Sequence, residues 1–249
     1  MSSVADATGK FADKLVELLD IFDLSFFVSG AAGLGALIAA ARVHGVPLPL
    51  GFTRMFDSAK PELGAEILFV GIVASYAVGL GCFALGRSAR ARFNPQSNAE
   101  LVRRAAAHHR LGDVLDLAEY LGDGDDGPAA DPRLSSLYNR LWVHVRTVKE
   151  LSTTLSLVKR YWILAATFDG MGIALLAWLW PLGASLVLAP DAGLGGPASV
   201  VLAIGLVVSA FFCWRQAAEY RRYQVDELVA TAVHWHALQS SERAAVAEA

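Results

Sequence analysis

Four long stretches of this 249-residue chain are almost free of charge, and no other feature restricts its fold as strongly. They run Leu24–Ala41, Ile67–Gly86, Tyr161 to about Leu188, and Ala198–Trp214. A helix needs roughly 20 apolar residues to cross a hydrocarbon layer about 30 Å thick, and each stretch is of that order. The whole chain is 55% hydrophobic and 18% charged, against about a quarter charged in ordinary soluble domains. Length and the lack of strict alternation favour helices over barrel strands. The expected fold is therefore all-α, a polytopic membrane protein with four transmembrane helices. The expected organisation is an amphipathic helix over 1–23 and spans at 24–42, 67–86, 161–188 and 198–214. A helical loop over 87–160 and a C-terminal helix over 215–249 complete it.

Cations set the orientation. Lys10 and Lys14 precede the first span, and the twelve Lys and Arg from Arg87 to Arg160 fill the middle loop. Arg215, Arg221, Arg222 and Arg243 follow the fourth span. With an even number of spans these eighteen share one side, against Arg42, Arg54 and Lys60 on the other. Positive residues stay cytoplasmic, so the N-terminus, middle loop and C-terminus are expected in the cytoplasm. Asp6, Asp13, Glu17 and Asp20 make the first segment too acidic for a signal peptide, so the first span reads as retained. Richness in Ala, Arg and Gly suggests a GC-rich bacterium, hence the inner membrane.

The polar region reads as helices. Ser97 or Asn98 caps AELVRRAAAHHRL, and DVLDLAEYL follows after Gly112. Asp131-Pro132 starts a third helix. From there Leu134, Leu137, Leu141, His144, Val148, Leu151, Leu155, Val158 and Trp162 recur at spacings of three and four. That heptad stripe predicts one continuous helix running into the third span. A weaker stripe, Val225, Leu228, Ala232, Trp235 and Gln239, continues the fourth span, and Val4, Phe11, Leu15, Leu18 and Phe22 mark the N-terminal segment. These faces pack either on one another or across a homo-oligomer; a cytoplasmic protein partner is the third option. Small residues four apart prepare close helix contacts: Ser25, Ser29 and Gly33; Gly71, Ser75 and Gly79; Gly205 and Ser209.

Asp169 is the one charge inside a span. It lies nine residues beyond Arg160, about 13 Å deeper along a helix, where an ionised carboxylate needs a partner, water or a proton. It is the candidate ion, proton or pore-lining residue. The alternative is a structural carboxyl bonded to Ser25, Ser29, Ser75 or Tyr76. No second charge within a span completes a carrier site.

Other constellations are weaker. Arg103 and Arg104 with His108 and His109 form an Arg-x4-His spacing that resembles HEPN-type ribonucleases, which implies a general acid/base role for histidine. Ala105 stands where that motif has a polar residue. Asp123, Asp125 and Asp126 fail as an EF-hand because Gly127, Pro128 and Leu134 occupy ligand positions. His234 and His236 point different ways on a helix, and Cys82 and Cys213 read as packing residues. No metal site, cofactor or enzyme motif is expected, and a net charge of −3 argues against nucleic acid. Membrane lipid is the expected surrounding. The expected function is a non-enzymatic homo-oligomeric channel or membrane-bound effector or scaffold, with a proton- or cation-coupled transporter subunit as the alternative.

Overall fold

The computed structural model describes residues 21–47, 65–109, 131–188 and 196–247. The N-terminal stripe, the aspartates of 123–126 and the helix expected at 113–121 lie outside these residues. Among the described residues helix is the only regular secondary structure. The helices are α1 Ile21–Val43, α2 Ala65–Phe93, α3 Asn98–His108, α4 Asp131–Thr147, α5 Ser152–Ala177, α6 Leu179–Leu188 and α7 Gly196–Ala247, with a 3-10 turn at Lys149–Leu151. Among the described residues four helical segments are long and apolar enough to cross a membrane: Ser25–Val43, Phe69–Phe93, Lys149–Leu188 and Gly196–Gln239.

Two compact units divide the chain, one of residues 1–90 and 163–217, the other of 91–162 and 218–249. In the first unit, α1 ends in a Schellman turn. Gly45 adopts a left-handed φ of 67°, Val46 N donates to Ala41 O at 2.9 Å, and Gly45 N donates to Arg42 O at 3.0 Å. The third span is not one helix. Pro181 has no N–H for the Ala177 carbonyl, and the chain turns at Trp178, whose N donates to Leu175 O at 3.2 Å. This kink brings α6 against α1, where Trp178 Nε1 donates to Ala32 O at 3.1 Å and Trp180 Nε1 to His44 Nε2 at 2.9 Å.

The second unit buries an apolar cluster built from α3, α4, the start of α5 and the tail of α7. Leu101, Val102 and Ala105 meet Leu137, Leu141, Val145, Leu151, Val158, Val225, Leu228, Val229 and Ala232. Ser97 begins α3 as its cap, the hydroxyl accepting from Glu100 N at 3.1 Å, which satisfies one of the free donors of a helix start.

The continuous helix expected from Pro132 into the third span is broken. Val148 leaves helical space, with φ −85° and ψ 113°, and the 3-10 turn follows. The local cause is the Thr147-Val148 pair. Both residues are β-branched and stiff, and Thr147 Oγ1 donates back to Val143 O at 3.0 Å and His144 O at 3.1 Å, competing with the ladder. Ahead of the break the buried face of α4 follows i, i+4 spacing through Leu137, Leu141 and Val145. Val145 enters the cluster, while His144 is only half-buried.

Candidate functional site

One face of α2 carries Ser75, Gly79, Cys82, Gly86 and Arg90, at spacings of three and four, and all five are buried. On α1 the corresponding face is Ser25, Phe26, Ser29, Gly30 and Gly33, also buried. The absence of side chains lets the two backbones touch. A Cβ on Gly30 would overlap the Ser75 carbonyl, and one on Gly79 would overlap that of Phe26. A third helix joins by the same device: a Cβ on Gly86 would collide with the backbone oxygen of Asp169, and one on Gly170 would lie 2.7 Å from Ser29 Oγ. Small-residue contact of this kind is the main source of close packing between apolar helices. Ser29 Oγ turns back on its own helix, donating to Ser25 O and Phe26 O at 3.2 Å each.

The close approach of α2 and α5 sets the geometry around Asp169. Arg90 Nε donates to Asp169 Oδ1 at 2.7 Å and its Nη2 to Oδ2 at 3.0 Å. Asp169 is 1% exposed and Arg90 5%, so both charges are withdrawn from solvent. The planar guanidinium fork matches both carboxylate oxygens at once, a geometry that a lysine cannot reproduce. Trp214 Nε1 approaches the bare Gly172 backbone one turn along α5.

Arg90 is the residue that the reading of charges inside spans missed. It stands beyond Gly86, where the apolar stretch ends, but α2 continues to Phe93 and the side chain is long. The signal was present as periodicity. Arg90 extends the series 75, 79, 82, 86 by one further turn, so it shares the face of the buried glycines.

No protein-family model matches the chain. Comparison with curated proteins and with solved structures likewise returns no significant relative.

The remaining candidates fall as follows. Gly71, unlike Ser75 and Gly79, meets nothing, and Gly205 and Ser209 face outward from α7. Leu137, Leu141, Leu151 and Val158 bury in the cluster of the second unit, with Val148 and Leu155 partly buried against it. The side chain of Leu134 lies outside the described residues. Arg104 bonds Glu100 on its own helix, and His109 Nε2 lies 3.0 Å from Asp226 Oδ1 on α7. His108 is exposed. Arg221 bonds Asn98. Among the described residues no three His, Cys, Asp or Glu side chains gather as metal ligands. The cysteines are free, Cys82 buried and Cys213 half-buried.

Proposed function

We propose that the protein is a non-enzymatic bacterial inner-membrane scaffold or effector, in which packed spans hold a folded helical unit on the cytoplasmic side. The observation that carries this reading is the Arg90–Asp169 pair. A carrier or a pore needs a carboxylate that meets its ion or proton, whereas both oxygens of Asp169 are taken up by a fixed guanidinium in a buried setting. Two opposite charges held this way neutralise each other within the apolar layer and join α2 to α5. The amphipathic stripe of the polar region supports the same reading. Leu137, Leu141 and Val158 are used in a core within the chain, which leaves a self-contained unit to be presented.

The test is a flux and conductance assay on full-length protein in liposomes, paired with Asp169→Asn. Silence of both proteins, with a lower melting temperature for the variant, is the expected result. A cation or proton flux that disappears in Asp169→Asn overturns the scaffold in favour of the transporter reading, and a conductance in favour of the pore.

Self-association remains a second reading, favoured by the outward Gly205 and Ser209 on α7. Small residues on an exposed span face allow a second copy to approach. The native mass in nanodiscs decides between one copy and several.

A further inference from the structure

The kink at Trp178 has a steric result on the side of α7. Beyond it the chain no longer follows a straight helix, and a gap of about 420 Å³ opens between α5–α6 and α7. Leu175, Trp178, Pro181 and Leu182 line one wall; Leu202 and Leu206 line the other. All six are apolar, and the volume falls in the range of roughly 300–1,000 Å³ typical of small-molecule sites. The gap is open laterally, since Leu202 is 44% and Trp178 38% exposed. The opening is on the side of α7 that carries Leu202, within the apolar segment Gly196–Gln239, which is long enough to cross a membrane. That face belongs to a span, and acyl chains are what a span faces in a bilayer.

From its apolar lining and its lateral opening between candidate spans we propose that the groove is a binding site for one acyl chain of a bilayer phospholipid. The leaflet follows from the position along α5 and α6. Leu175 lies six residues past Asp169 and Leu182 thirteen, about 9 and 20 Å along a straight helix. The groove therefore sits toward the end where Trp180 bonds His44, away from Arg90. Aromatic side chains collect at membrane–water interfaces, so the lipid belongs to the leaflet at the Trp180 end. Its tail fills a space that would otherwise leave the lining without contacts. A void forfeits the dispersion attraction of its walls, and nothing in the lining holds water. The site is independent of the scaffold reading, since it requires only that these helices span the membrane.

The experiment uses full-length protein in phosphatidylcholine nanodiscs doped with a phosphatidylcholine that carries a diazirine in mid-chain. Photo-adducts are mapped by mass spectrometry. In the wild type, adducts concentrate on the segments holding Leu175–Leu182 and Leu202–Leu206, at least fivefold above those around the exposed Val73 of α2. Leu206→Trp fills the groove and removes that excess without changing the Val73 signal. Leu202→Phe, which intrudes from a neighbouring turn, does the same and serves if the tryptophan variant fails to fold. Equal labelling of the groove and of Val73 in the wild type overturns the proposal, since it describes general solvation by lipid. An excess that persists in a folded filled variant overturns it as well. So does efficient disulfide cross-linking of two copies through Leu202→Cys, because a second chain would then occupy the groove.

Discussion

A guanidinium and a carboxylate withdrawn from water act as one structural part, so their substitutions must be read together. Substituting one member leaves the other charge buried without the bidentate partner it now has, and breaking such a buried pair costs about 3–5 kcal/mol. Asp169→Leu and Arg90→Met are each expected to lower the melting temperature of the detergent-solubilised protein sharply. The double variant restores most of the loss, because two apolar side chains leave no charge behind. If the losses simply add, the two residues act independently and the pair is not the unit. A second residue-scale expectation concerns His144, whose imidazole burial pushes below its ordinary value. The unfolded chain titrates near that ordinary value, about 6.5. Below it the unfolded state therefore binds more protons than the folded one, and stability falls as pH drops, levelling off beneath the folded value. His144→Leu should flatten the melting profile where it begins to fall below about pH 6.5. An unchanged slope would assign the acid sensitivity to other groups.

At the scale of helices, packing depends on where glycine replaces a side chain. Gly86 and Gly205 are both helical glycines in spans, but only the first has a backbone in its path. Gly86→Leu forces α2 and α5 apart and is expected to cost about 1–3 kcal/mol or more by overpacking, and with it the Arg90 contact. Gly205→Ala meets open space and should be neutral or gain about 0.5–1 kcal/mol from the better helix former. Thermal denaturation of the two variants side by side checks the contrast, and equal losses would contradict the packing described for Gly86. The same elements explain how far the chain could be read without coordinates. The four apolar helices were legible because the bilayer excludes charge over a fixed length. The face holding Ser75 and Gly79 was legible because small residues recur at helical spacing. Arg90 was not, because the apolar stretch ends at Gly86 while the hydrogen-bond ladder does not. A span boundary read from polarity therefore stopped one turn short of the counter-charge. Nor was the break at Val148, where no Pro or Gly interrupts an unbroken heptad pattern. Two adjacent β-branched residues and a threonine bonded back to its own helix are a weak signal beside nine regularly spaced apolar positions. The kink at Trp178 was not read either, although Pro181 marks it, because 161–188 reads as a single apolar stretch.

For the molecule as a whole, the topology proposed from the distribution of cations is compatible with the contacts among the apolar helices. On the proposed topology eighteen Lys and Arg lie on one side against three on the other, and the positive-inside rule would make the richer side, with both termini and the polar helices, cytoplasmic. Successive spans must alternate in direction, so the ends of the first and third should meet at one face. His44 and Trp180 do bond, at 2.9 Å. The end of the second span should meet the beginning of the third at the opposite face, as Arg90 meets Asp169. The charge rule would add the sign, and the proposed topology makes the His44–Trp180 face external. Single cysteines test it in a Cys82→Ala, Cys213→Ala background. Val46 is 53% exposed just past α1, and Ser241 is exposed on the tail of α7. Val46→Cys is expected to react with a membrane-impermeant maleimide on intact cells. Ser241→Cys should react only after the membrane is permeabilised. The reverse pattern would invert the molecule and put the polar helical unit outside. Labelling of both sites on intact cells would mean an odd number of crossings, which the alternation of the His44–Trp180 and Arg90–Asp169 contacts does not allow for four apolar helices.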